Sequence, residues 1–189
     1  MEQVEKQRRR NRIISLAAIA LIAVVAVTVV VYSLSARGNA VPLPGYLDRC
    51  VVSTLLYHAH PGLAIVINGT TFPVPPDVGR TGACNRPIHT HPSNTNPSVF
   101  DGTLHVETDE NRDYTLGDFF LIWGNSENNP TLAILSSNQI FGNHVVAGHT
   151  MNVTVNGGPS PNPDPSKIVI PRNAQENSGT AYNIAISYS

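Results

Sequence analysis

The sequence predicts an all-β fold: a single β-sandwich or barrel-like domain behind one N-terminal transmembrane helix. Three observations predict it. An uncharged apolar run stands near the start of the chain, long enough as a helix to cross roughly 30 Å of hydrocarbon. After it, short segments rich in branched residues recur between clusters of turn-forming residues, which is the pattern of short strands. Of the 189 residues, about 150 lie beyond the run and its flanks, enough for one domain with one core.

Residues 1–12 read as a basic cytoplasmic tail containing Lys6, Arg8, Arg9, Arg10 and Arg12. Residues 13–34 form the span, in which only Ser15, Thr28 and Ser33 are polar, and Arg37 is the one nearby basic residue after it. Excess positive charge ahead of a span holds that side in the cytoplasm. The expectation is therefore a single-pass protein of the cell membrane, its N-terminus cytoplasmic, its C-terminal domain extracytoplasmic, and the lipid bilayer its partner along 13–34. A cleaved signal peptide is the competing reading, but its apolar core normally runs ~7–15 residues. This run is longer, and no clean small-x-small cleavage site follows it closely. Ala17, Ala18, Ala20, Ala23 and Ala26 would let such a helix pack closely against another.

Residues 35–45 read as a linker, stiffened by Pro42 and Pro44, and the β domain is expected over 46–189. Its strand candidates are 51–57, 63–67, 72–74, 104–107, 119–123, 132–135, 151–155, 168–170 and 181–188. Strands this short and this dense suggest a sandwich or barrel. Asn68-Gly69 and Asn156-Gly157 occupy hairpin-type positions, and Pro, Asn and Ser crowd 92–97 and 159–165. One short helix is expected around 115–120, with Thr115 as N-cap and Asp118 three residues on, setting Phe119, Phe120 and Trp123 against the sheet. No internal repeat is visible.

Beyond Arg37 six basic residues face eleven acidic ones, a balance that does not attract nucleic acid. Cys50 and Cys84 both lie in the outward portion, where non-reducing surroundings permit a disulfide. Thiolate metal ligands and two free thiols are the alternatives. The tripeptides Asn68-Gly69-Thr70 and Asn152-Val153-Thr154 match the glycosylation acceptor pattern, one that arises often by chance.

Five of the seven histidines fall in three compact groups, His58-Ala59-His60, His89-Thr90-His91 and His105-Val106-Glu107. In a strand, residues i and i+2 share a face and sit roughly 6.6 Å apart, a span two imidazoles close onto one ion at ~2.0–2.1 Å each. Each group is thus a candidate chelating pair, and the metal-site residues are His58, His60, His89, His91, His105 and Glu107. Five imidazoles and a carboxylate exceed what one tetrahedral ion needs, so some orient others or there are two sites. A nitrogen-rich set suits copper or zinc and disfavours calcium and magnesium. Glu107 and Asp101 are each candidates for ligand, ring-orienting partner or general base. For His144 and His149 the ordinary role, hydrogen bonding within loops, is expected. Asp109, Glu110 and Asp113 read as a solvated acidic loop without chemistry. A Cys50–Cys84 bridge would draw the first two histidine groups into one neighbourhood.

The order Tyr57-His58-Ala59-His60, Cys84, His89-Thr90-His91, His105-Val106-Glu107 and then 114–124 (Tyr-Thr-Leu-Gly-Asp-Phe-Phe-Leu-Ile-Trp-Gly) resembles a family of uncharacterised archaeal and bacterial envelope proteins. The likeness covers roughly residues 55–157. It implies an extracytoplasmic domain with these histidines in its signature, and the family has no established activity to carry over. Here the loop 92–101 is longer and richer in Pro and Asn than the family's, which alters the rim of any site. His89-Thr90-His91 also matches the paired histidines of cupins, but no Glu follows at the expected distance and the glycine framework is missing. The function expected is a tethered domain binding copper, or next zinc, for storage, delivery or support of a membrane metalloenzyme. The alternatives are a histidine-metal hydrolytic or lyase-type enzyme, and a structural or interaction domain of the envelope without metal.

Overall fold

Alternating apolar and polar residues build most of the principal strands of this protein. Its computed structural model describes residues 41–51, 54–96, 100–174 and 182–189, together with Gln7, Ile22, Val24, Val25 and Val27. The expected tail and span at 1–34 lie outside the described residues apart from these five, of which Ile22, Val24, Val25 and Val27 are helical with exposed side chains. Among the described residues no helix is long and apolar enough to cross a membrane. The chain divides into two compact units, Met1–Asn39 and Ala40–Ser189, and the second carries everything below.

Strands β1 (Tyr57–Ala59), β2 (Gly62–Ile67) and β3 (Thr70–Thr71) are followed by a small hairpin, β4 (Arg80–Thr81) and β5 (Cys84–Asn85). The long pair β6 (Ile88–Pro92) and β7 (Phe100–Thr108) leads into helix α1 (Leu116–Ser126). The remainder comprises β8 (Leu135–Ser136), β9 (Gln139–Ile140), β10 (Asn143–His144), β11 (Met151–Val155), β12 (Gly158–Pro159) and β13 (Asn183–Tyr188). The main sheet has eight strands in the order β1-β7-β2-β13-β11-β12, with β3 paired to β2 and β6 to β7. Its neighbours are antiparallel except β13 and β2, which run parallel with Ile184 opposite Leu63 and Ile186 opposite Ile65. Strands β8–β10 and β4–β5 form separate small sheets.

Period-two burial is plain along β13, where Ile184, Ile186 and Tyr188 are buried and Asn183, Ala185 and Ser187 exposed. The same alternation on β7 buries Leu104 and Val106. The core is completed by α1, which contributes Leu116, Phe119, Phe120, Ile122 and Trp123 to one cluster with Leu63, Ile65, Ile88 and Ile184. Full burial of each such large side chain stabilises by about 1.5–3 kcal/mol.

The expected N-cap is present: the Thr115 hydroxyl accepts from the Asp118 amide at 3.2 Å, and Asp118 Oδ2 accepts from the Thr115 amide at 2.9 Å. This reciprocal cap satisfies two donors that helix geometry leaves orphaned. The helix then runs on to Ser126, so the strand expected at 119–123 is instead helical. Five consecutive large residues there are buried almost all round, which erases the one-sided pattern. Where a sandwich would set a second large sheet over the core, this β-rich domain sets α1.

Other expected strands also differ. Of the described part of 51–57 only Tyr57 is in a strand, 72–74 is irregular, and 132–135 is divided between a 3₁₀ turn over Pro130–Ala133 and β8, which begins at Leu135. Residues 168–170 meet the helix start only through a bridge between Val169 and Thr115. Both Asn-Gly turns are hairpin turns with positive φ at each residue, 50° and 76° at Asn68-Gly69, 52° and 76° at Asn156-Gly157. Packing reaches back into the segment read as linker: Val41 is buried, and the Asn125 side-chain amide donates to its carbonyl at 2.6 Å.

Candidate metal centre

Strand β7 is the spine of the site. Strand β1 pairs along one edge, with His58 opposite Glu107 and Ala59 opposite Val106. Strand β6 pairs along the other, with His89 opposite His105 and Ile88 opposite Val106. Directly opposed residues share a face, so His58, His89, His105 and Glu107 lie on one side of the sheet. Ala59, Ile88, Leu104 and Val106, on the other side, are wholly buried in the core. His60 and His91, two residues on from His58 and His89, return to the histidine face.

The register is held from outside the cluster. Thr90, between the two histidines of β6, points into the core, where its hydroxyl accepts from the Val78 amide and donates to the Pro75 carbonyl, both at 2.9 Å. The Thr90 amide donates to the Val78 carbonyl at 3.0 Å. Gly79, next along, has φ +74° and lies so close to β6 that a Cβ there would stand 2.6 Å from the Ile88 carbonyl. Only glycine takes that conformation and that approach without cost. Beyond Thr90 the β6–β7 register shifts before Pro92 meets Phe100, a bulge of the kind that re-aims a side chain.

Cys50 and Cys84 are joined by a disulfide. The thiols are therefore not metal ligands, which settles the alternatives left open by the sequence. The bridge ties the segment leading to β1 to the hairpin that leads to β6, and the Val51 amide reinforces it by donating to the Asn85 carbonyl at 2.8 Å.

All five clustered histidines converge. Two groups of three bring their ligand atoms within 4.8 Å of one another, His58-His60-His105 and His89-His91-His105. Within the first, His58 Nε2 is 3.4 Å from His105 Nδ1, and the His60 ring lies 4.2 Å from that of His58 and 4.6 Å from that of His105. Within the second, His89 Nε2 is 3.0 Å from His91 Nε2, and the His91 ring is 4.2 Å from that of His105. Separations of this order close onto one ion with small side-chain rotations. Glu107 Oε1 stands 3.0 Å from His58 Nε2 and 3.9 Å from His89 Nε2, beside both groups.

Exposure grades across the cluster. His58 is exposed, His60, His91 and His105 are half-buried, and His89 is fully buried. His89 Nδ1 donates to the Arg86 carbonyl at 2.9 Å, which leaves Nε2, 3.0 Å from His91 Nε2, as the nitrogen carrying its lone pair, the arrangement by which proteins orient metal-ligating imidazoles. Burial pushes the His89 pKa down to about 4 against that hydrogen bond, with the charges of His91 and Arg80 adding to the effect. Burial and then the four surrounding histidines push His105 down to about 3. Burial likewise lowers His58, against the pull of Glu107, and lowers His91, where Arg80 adds and Asp101 opposes. Neutral imidazoles are the form that binds metal.

The remaining candidates are elsewhere. Asp101 is exposed, and its Oδ1 accepts from the Thr103 amide at 2.9 Å, so it caps a turn of backbone beside the site. The His149 ring stacks on Tyr188 at 5.5 Å, and the His144 carbonyl accepts from the Tyr188 hydroxyl. The acidic residues 109–113 are ion-paired rather than merely solvated: Arg49 Nη1 bridges Asp109 at 2.7 Å and Glu110 at 2.9 Å, and Arg172 Nε meets Asp113 at 2.7 Å. Sequence reasoning missed the supporting roles of Thr90 and of the Arg86 carbonyl. The polar residue between two histidines was the signal for Thr90, whereas a backbone carbonyl leaves none.

Fold and site together define a β-rich domain with five histidines and a glutamate gathered on one sheet face, able to hold a metal ion. Comparison with protein-family models, curated proteins and solved structures finds no match to the chain.

Proposed function

We propose that this chain is a membrane-anchored extracytoplasmic domain that binds a transition metal, copper first and zinc next, for storage, delivery or support of a membrane metalloenzyme. The observation that carries the metal reading is the convergence of two three-histidine groups within 4.8 Å. An all-imidazole set with one nearby carboxylate matches copper and zinc preferences, not those of the hard oxygen-seeking cations.

The anchored, outward placement rests on the apolar run 13–34 with five basic residues ahead of it, and the disulfide is compatible with a compartment that spares such bonds. The resemblance to envelope proteins agrees with that placement.

The test is elemental analysis of the purified full chain and of a variant carrying His58→Ala, His60→Ala, His89→Ala and His91→Ala. Copper or zinc near stoichiometry in the native chain, absent from a variant that keeps its circular dichroism, is the expected result. A folded native chain that takes up neither metal from micromolar solution overturns the reading.

A further inference from the structure

His105 belongs to both three-histidine groups, and it is the middle of the cluster rather than an edge. Its ring centroid lies 5.6 Å from His58, 4.6 Å from His60, 5.5 Å from His89 and 4.2 Å from His91. Its nitrogens are also differently placed from those of His89. His89 has one nitrogen committed to the Arg86 carbonyl, so it can serve a single ion. The His105 ring has His58 as its hydrogen-bond partner, through Nδ1, and no backbone carbonyl among the described residues. Nδ1 thus faces the β1 histidines, and the opposite nitrogen, Nε2, is uncommitted.

We propose that the cluster is a two-ion centre, one ion in each three-histidine group, with His105 between them as the ligand common to both. This rests on the metal-binding reading above and assigns its capacity and internal arrangement. The β1 side would hold one ion through His58, His60 and His105 Nδ1, and the β6 side the other through His89, His91 and His105 Nε2. An imidazole that binds through both nitrogens has lost its N–H proton, which passes to solvent, and the ring becomes an anion. That charge and the Glu107 carboxylate, whose Oε1 neighbours His58 and His89 together, offset part of the repulsion between two divalent ions. A single-ion site would need neither a shared ligand nor a carboxylate placed between two histidine pairs.

The test is titration of the metal-free full chain with Cu(II), following bound copper by equilibrium dialysis and the copper electron paramagnetic resonance signal at each point. Two ions bound per chain are expected, with the signal of the fully loaded protein well below that of two isolated Cu(II) ions, because an imidazolate bridge couples their spins. The His58→Ala/His60→Ala and His89→Ala/His91→Ala variants are each expected to keep one ion with an undiminished signal. Glutamine replaces alanine in either pair if circular dichroism shows a folding defect. One ion in the native chain, lost in both paired variants, overturns the two-ion arrangement while leaving metal binding intact. Two ions with full, uncoupled signal overturn the role of His105 as a bridge. A folded native chain that binds no copper overturns this proposal and the metal reading together.

Discussion

His89 and His105 face each other directly across the β6–β7 ladder, their rings 5.5 Å apart and within 23° of parallel. Two imidazoles held this way cannot both carry a proton cheaply, and both are pushed well below the usual histidine range by burial.

A pH dependence of folding follows. In the metal-free native state His89 and His105 stay neutral down to about 4 and about 3, whereas in the unfolded chain each takes a proton near 6.5. The unfolded state therefore binds more protons below 6.5. Stability is fully present above that pH and falls as pH drops toward the folded-state values, by up to about 1.4 kcal/mol per pH unit for each group. Urea midpoints of the metal-free protein between pH 7 and 4 are expected to decline, and to decline less steeply in His89→Gln.

Glu107 gives a second prediction. Glu107→Gln keeps the shape but removes the charge beside His58 Nε2 and His89 Nε2. Copper affinity is expected to fall about tenfold or more, the scale of losing a carboxylate that supports metal-bound imidazoles, with thermal unfolding of the metal-free form unchanged. Competition against a chelator of known affinity measures it.

Thr90→Val tests the anchoring of β6 without a large change of volume. It removes a buried acceptor for the Val78 amide and a buried donor to the Pro75 carbonyl, which costs about 1–3 kcal/mol through the groups left unsatisfied. Urea unfolding should register the loss, and metal uptake should weaken because His89 and His91 flank that residue.

The disulfide spans a sequence separation of 34 residues, for which loop entropy gives about 4 kcal/mol. Cys50→Ser/Cys84→Ser is expected to lose about 2–5 kcal/mol of stability with copper uptake equal to that of the native chain, since neither sulfur belongs to the histidine groups. Retained stability in the double serine variant would contradict the bridge's assigned role.

Much of the site was readable in the sequence because its alternation is local. A histidine at i and again at i+2 must share a face once the segment is a strand, so His58-His60 and His89-His91 declared themselves. That His105 would be common to both depends on β7 lying between β1 and β6, and that order is fixed by long-range pairing. The helix start was equally legible, since Thr115 and Asp118 cap each other within one turn. Its extent was not, because Phe119, Phe120, Ile122 and Trp123 are all buried and show no exposed side to give a period. The parallel pairing of β13 with β2 joins segments more than a hundred residues apart, and nothing local in either segment names the other.

That pairing has a consequence in time. Strand β13 lies between β2 and β11, so the two halves of the main sheet stay separate until residues 183–188 have emerged and docked. Closing a connection of that length is slow compared with making a hairpin. The histidine strands β6 and β7 are neighbours in sequence and can pair early, while β2, which meets β7 at Gly62 and Thr103, waits for its other partner. A nascent chain of this protein therefore brings His89, His91 and His105 together on the β6–β7 pair before its sheet is complete.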